Sequence, residues 1–197
     1  MKSPLSYQRT EFDCGPTSIL NAICYLCERD SIPPEVIRMV IDCTLDVYND
    51  QGQYGRLGTS QLSMNYISQC LNQQSAYKLP LITKHISGDL VTLSTTSMII
   101  TALESGGVVI VRLRYFGEHY VLITGISDDV VELFDPYYMP NYSADVPYQI
   151  SDNGRCNRKV PLKVMQTEGI EPYNMLPAAN RDALLFFKSD NDFVARR

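Results

Sequence analysis

Apolar residues recur at spacings of three and four through the first half of the chain, and in dense or alternating runs through the second half. The first pattern predicts helices and the second predicts strands. From Cys14 to Glu28 the residues Ile19, Leu20, Ile23, Leu26 and Cys27 share one helical face. Asp13 stands at the N-cap of that helix, and Pro16 falls in the first turn, where a missing N–H is tolerated. Pro33-Pro34 opens a second helix over Glu35 to Cys43. A third is expected over Thr59 to Leu71, capped by Thr59 or Ser60, with Leu62, Tyr66, Ile67 and Cys70 turned inward. A fourth lies within Thr95 to Glu104 and stops at Ser105-Gly106-Gly107.

After that stop the period changes. Val108 to Tyr115, His119 to Ile126 and Val130 to Asp135 are β-rich runs separated by Phe116-Gly117-Glu118 and Ser127-Asp128-Asp129. Links this short join antiparallel strands, because a parallel pair needs a crossover of about a dozen residues. Asp182 to Lys188 predicts one more strand, and Pro136 to Asn180 reads as long loops with little regular structure. Helices followed by an antiparallel sheet give the α+β class. One domain over 1–197 is expected, with a helical lobe at about 14–104 packed on a β lobe at about 107–197.

Composition narrows the function classes. A chain of 197 residues can bury a core without staples, so six cysteines need not imply disulfides. The formal charge of −5 and the absence of a basic run argue against nucleic acid. No stretch is long and apolar enough to span a bilayer, and the N-terminal residues hold no export signal, so a cytoplasmic location is the default. Cys24 and Cys27 form a Cys-x-x-Cys, but they lie on the same helical stripe as Leu20 and Ile23 and read as core. No metal or organic cofactor is expected.

The chemistry concentrates elsewhere. Cys14 sits at the start of a helix, where the macrodipole and free N–H groups favour a thiolate. His119 opens one strand and Asp135 closes the next. With the intervening turn centred on Asp128, Asp135 falls opposite Val121 and His119 is its diagonal neighbour on the same face. A turn centred on Ser127 puts the two directly opposite, and a half-residue register sends them to opposite faces. Asp135 can then orient the imidazole that takes the proton of Cys14. Gln8, upstream of Asp13-Cys14-Gly15, can donate its amide to an oxyanion beside the Cys14 N–H. His85 is the rival base, and it reads as a solvated surface histidine without a carboxylate partner. The loops Tyr48 to Arg56 and Tyr137 to Tyr148 are candidate lids over a cleft.

These residues resemble the peptidase C39 and C39-like group of papain-like cysteine proteases. That group places a glutamine six residues before the cysteine of an Asp-Cys-Gly, then a Gly-(x)-His on a strand, then an Asp or Asn before Pro. The matching positions are Gln8, Asp13-Cys14-Gly15, Gly117-Glu118-His119 and Asp135-Pro136. The resemblance implies a papain-like fold, a Cys14-His119-Asp135 triad, an oxyanion glutamine in Gln8, and a peptide or amide substrate cut through an acyl-enzyme. The separation of Cys14 from His119 is longer than in compact members, with the extra length expected in Asp42 to Gly58 or Tyr77 to Leu93. Relatives fused to transporters cut after a double glycine, a specificity not expected here without a transporter segment. A papain-like acyltransferase and a non-catalytic binding module of the same fold are the alternatives.

Overall fold

The computed structural model describes residues 1–73, 79–139 and 147–189. Helix α1 (Cys14–Leu26), helix α2 (Pro34–Thr44) and helix α3 (Gln61–Asn72) come first. Strand β1 (Leu81–Ser87) follows, then helix α4 (Met98–Glu104) and strands β2 (Val108–Tyr115), β3 (Gly117–Ser127) and β4 (Val130–Phe134). Strand β5 (Arg158–Pro161), the short helix α5 (Leu162–Gln166) and strand β6 (Asp182–Lys188) complete the α-helices and strands among the described residues. The strands form one antiparallel sheet in the order β1-β6-β2-β3-β4-β5.

Side chains alternate across the sheet, so each face has its own core. On one face Ile19, Ile23, Val36, Val40, Met64 and Ile67 of α1–α3 pack on Ile110, Leu122 and Leu184. On the other, Ile99 and Leu103 of α4 pack on Val109, Val121, Leu133 and Leu185. Each fully buried aliphatic side chain contributes about 1.5–3 kcal/mol, which conformational entropy offsets in large part. The helical and strand regions are therefore not consecutive in the chain. Strand β1 lies within the stretch assigned to the helical lobe, and it pairs along its whole length with β6.

Three other expectations are corrected. In α3 the inward face is Ser63, Met64, Ile67, Ser68 and Leu71, whereas Leu62 is 80% exposed and Tyr66 is 54% exposed. Small polar residues win that face because the Ser68 hydroxyl pairs with Thr83 Oγ1 at 2.9 Å and Asn72 brackets the Thr83 backbone from β1. The stretch from Pro136 to Asn180 is not simply loop, since β5 adds to the sheet edge and α5 follows it directly. Asp13 holds the N-cap position of α1 without capping it by its side chain. Its carboxylate instead accepts from the Arg9 and Thr10 N–H groups at 2.9 and 2.7 Å. Ser60 and Ser97 do cap α3 and α4, accepting from Ser63 N and Ile100 N.

The register of β3 against β4 decides where the candidate residues point. Near the turn Ser127 pairs with Val130 and Gly125 with Glu132. Continued unchanged, that half-residue register would send His119 and Asp135 to opposite faces. A bulge at Thr124 skips one residue, so that Ile123 pairs with Leu133 and Leu122 with Phe134. One step further, Asp135 shares the face of His119.

Candidate active site

The site begins at the N-terminus of α1. The first intrahelical bond runs from Thr17 N to Asp13 O at 3.1 Å. The N–H groups of Cys14 and Gly15 therefore have no acceptor within the helix, and Pro16 has none to give. They open from the positive end of the helix, where negative charge is favoured. Ser18 Oγ donates to Tyr120 O at 3.2 Å and ties this turn to β3, one residue from His119.

His119 is 6% exposed, and its Nε2 lies 2.8 Å from Asp135 Oδ1. His119 also meets Cys14 through a side-chain hydrogen bond and charge attraction, and with Nε2 on Asp135 this leaves Nδ1 for the sulfur. Burial alone would lower the His119 pKa, but the Asp135 charge and the Cys14 thiolate outweigh it and push it up to about 10. Burial likewise works against the Cys14 thiolate, but the His119 charge and hydrogen bond and the Tyr120 N–H hold that thiol below its ordinary value. Burial pushes the thiols of Cys24, Cys43 and Cys156 upward and that of Cys27 up to about 11. Cys27 is buried in the core, as its stripe predicted, and Cys24 is half-buried.

Asp135 is fully buried and heavily bonded. Its Oδ1 also accepts the Tyr137 N–H at 2.8 Å, and its Oδ2 accepts the Tyr173 hydroxyl at 2.7 Å. Asn157 clamps its backbone, accepting from Asp135 N and donating to Asp135 O, both at 2.8 Å. Behind Tyr173 stands Arg158, 1% exposed, whose Nε donates to the Tyr173 hydroxyl at 3.0 Å and Nη1 to Asn157 O at 2.9 Å. Burial works against ionised Asp135, but His119, Arg158 and Tyr173 together hold its carboxyl below the usual value. Asn157, Arg158 and Tyr173 were missed in the sequence because they fall in the stretch read as loop. The signal available was Arg158-Lys159-Val160-Pro161, whose Val160 and Arg158 alternate inward.

Gln8 reaches the site by its backbone, donating from N to Pro136 O at 2.8 Å, directly after Asp135. Its Nε2 donates one hydrogen to Thr10 O at 2.8 Å, and its buried Oε1 has no partner. The loop holding it is folded around the Asp13 carboxylate. His85 is not the solvated residue expected. Its side chain is 14% exposed, and Nε2 lies 2.5 Å from Asp182 Oδ1 on the neighbouring strand.

The candidate lids differ. Tyr48 and Tyr54 stack edge to face at 5.1 Å between ring centres, and Arg56 lies 5.6 Å from the ring centre of Phe12, two residues before Cys14. The second loop falls partly outside the described residues. Its described start places Tyr137 edge-on to His119, with ring centres 6.4 Å apart. Among the described residues no helix is long and apolar enough to cross a membrane.

With this geometry in hand, the profile of the Peptidase_C39 like family matches residues 2–153. Among solved structures the chain is similar to a candidate C39-like peptidase from Bacillus anthracis, at 14% identity over 94% of each chain with a TM-score of 0.53. It is also similar to the peptidase domain of Streptococcus ComA, a bifunctional ABC transporter of a quorum-sensing pathway, at 15% identity over 93% of this chain and 96% of that one, with a TM-score of 0.46. A double glycine motif protease from an AMS/PCAT transporter, solved with a leader peptide, gives 13% identity over 94% of this chain and 91% of that one, with a TM-score of 0.46. No curated protein sequence matches the chain. The Bacillus likeness shows the fold, the papain-like α+β arrangement expected from the sequence.

Proposed function

The chain belongs to the Peptidase_C39 like family, and from that premise we propose that it is a cysteine peptidase working through a thioester acyl-enzyme. Cys14 is the nucleophile, His119 the proton carrier and Asp135 its orienter. The thiolate of Cys14 attacks the carbonyl carbon of a peptide or amide bond and a C–S bond forms. His119 then gives its proton to the departing nitrogen, the C–N bond breaks, and a thioester remains on Cys14. Water loses a proton to His119, attacks the thioester and releases the acid. The Cys14 N–H, at the positive end of α1, stabilises the oxyanion in both steps. Gln8 is its partner there, using the amide hydrogen that Thr10 does not take.

The observation that carries this reading is the placement of one buried imidazole between the Asp135 carboxylate, 2.8 Å from Nε2, and the Cys14 thiol. Alkylation by iodoacetamide, followed residue by residue by mass spectrometry, tests it. Cys14 is expected to react faster than free cysteine below pH 7, where the thiols of Cys24, Cys27, Cys43 and Cys156, pushed upward by burial, are slow, and Cys14→Ala to abolish hydrolysis of a peptide substrate mixture. A Cys14 no faster than free cysteine in that range removes the proposal. Adding an amine to the same reaction separates hydrolysis from acyl transfer by its products.

A further inference from the structure

Tyr115 lies against the imidazole that carries the proton, yet the proposed reaction gives it no part. It ends β2, where Leu113 pairs with His119 and Tyr115 with Gly117, so Tyr115 is the diagonal neighbour of His119 on one sheet face. It is buried, and its ring centre lies 5.4 Å from that of His119 and 5.3 Å from that of Tyr173, with the planes tilted by 35° and 38°. Tyr115 therefore stands between two rings that bond to the same carboxylate, His119 at Asp135 Oδ1 and Tyr173 at Oδ2. Hydrogen bonds close one half of this circuit and ring contacts the other. The imidazole cannot swing away from Asp135 without pressing on Tyr115.

The adjoining turn holds the ring in place. Phe116 alone links the paired Tyr115 and Gly117, and its φ of +52° is one that a bulky side chain rarely adopts. Its ring nevertheless packs edge to face on Tyr115, with centres 4.9 Å apart, and Tyr137 packs edge-on at 6.1 Å. Such strain persists only where the surroundings over-determine it. The titratable and charged groups around His119 are Cys14 from α1, Tyr115 from β2, Asp135 and Tyr137 after β4, and Arg158 and Tyr173 behind the carboxylate. Glu118 points to the other sheet face and pairs with Arg112, and Glu11 bonds to Tyr137. Burial, then the Asp135 charge, push the Tyr115 pKa up, so its ring is a neutral phenol while thiol and imidazole titrate. A neutral ring has a negative face, which attracts a cation within about 6 Å of its centre. Protonated His119 gains from that face and neutral His119 does not.

We propose that Tyr115 is a positioning residue for His119, whose ring fixes the imidazole plane against Asp135 and stabilises the positive charge that faces the Cys14 thiolate. Its weight in catalysis rests on the cysteine-peptidase reading of the site. Weakening the ring's negative face should lower the alkaline limb of activity alone, because His119 is protonated both before and after the thiol ionises. The test uses the full chain and compares Tyr115→Phe with trifluorophenylalanine at the same position, a ring of nearly equal shape whose negative face is largely cancelled. In a Cys14→Ala background, NMR of the imidazole protons follows the titration of His119, with His85 on the edge strand β1 as reference. The fluorinated ring is expected to lower the His119 titration by about half to one pH unit relative to Tyr115→Phe, with His85 unmoved. With Cys14 intact, the alkaline limb of kcat/KM should fall by the same amount and the acid limb stay. Equal His119 titrations in the two proteins, or an equal shift of His85, overturn the proposal. A His119 shift in a chain that hydrolyses no peptide supports the ring contact and removes the peptidase reading instead.

Discussion

Both histidines of this chain sit on strands in nearly the same setting. His119 has Asp135 Oδ1 at 2.8 Å, with Tyr173 donating to the other carboxylate oxygen at 2.7 Å. His85 has Asp182 Oδ1 at 2.5 Å, with Tyr120 donating to the other oxygen at 2.6 Å. Both carboxylates are fully buried, and each tyrosine has an arginine against it, Arg158 at the Tyr173 hydroxyl and Arg112 over the Tyr120 ring. The difference is what the second ring nitrogen meets. For His119 it is a thiol at a helix N-terminus, held below its ordinary pKa; for His85 the hydrogen-bond partner among the described residues is Asp182. In this chain a histidine–carboxylate–tyrosine chain thus ties the sheet together at two places. It becomes chemistry only where the free nitrogen faces something that can react.

The largest expected effect breaks the pair apart. His119→Ala should lower kcat/KM about 10³–10⁴-fold, because proton transfer and thiolate activation fail together. His85→Ala should leave kcat/KM within about threefold and cost about 1–3 kcal/mol of stability, since it strips a partner from buried Asp182. Peptide hydrolysis rates and urea denaturation of the two variants measure both quantities. A kinetic loss in His85→Ala as deep as that in His119→Ala would show that the braces are not distinct in function.

The pH profile sharpens the comparison. Under the proposed mechanism activity needs the Cys14 thiolate and protonated His119, so the acid limb would report the lowered thiol and the alkaline limb the raised imidazole. The acid limb should lie below the ordinary thiol value of about 8.5 and the alkaline limb above the ordinary imidazole value of about 6.5. Arg158→Gln removes a buried positive charge from behind Asp135. Without it the Cys14 thiolate is less stabilised and the His119 proton is held more firmly, so both limbs should move to higher pH. His85→Asn should move neither. Stationary limbs in Arg158→Gln would reduce that arginine to a packing element.

Much of this was legible in the sequence, and the failures share a cause. Cys14, His119 and Asp135 lie in strong local patterns: a helix start and the ends of two β-rich runs. Their meeting was not local. It depends on the bulge at Thr124, which corrects a turn register that would otherwise have separated His119 from Asp135. Nothing in Val121-Leu122-Ile123-Thr124 marks where one residue is skipped. The Asp182 partner of His85 lies 97 residues away, on a strand paired with a stretch that had not been read as a strand. Leu62 and Tyr66 had core-like spacing, but Ser63 and Ser68 lie on the inner face, where Ser68 finds a polar partner in Thr83 of β1.

The smallest expected effect separates the two braces most finely. Tyr173→Phe removes the donor to Asp135 Oδ2 and the acceptor of Arg158 Nε, while leaving both rings packed. Tyr120→Phe removes the matching donor to Asp182. Each should cost about 1–3 kcal/mol in urea denaturation, because each leaves a buried polar group short of a partner. Their kinetics should diverge. With one oxygen of Asp135 released, the carboxylate can turn away from His119, and kcat should fall about three- to tenfold with KM little changed. Tyr120→Phe should keep kcat within about twofold, since the Tyr120 N–H that reaches Cys14 belongs to the backbone and survives the substitution. Adding Asp135→Asn to Tyr173→Phe should then cost less than the product of the two single effects, because both act through the same carboxylate. Equal kcat losses in the two phenylalanine variants would mean that strain passes through β3 from one brace to the other, and that the site extends across the sheet to Asp182.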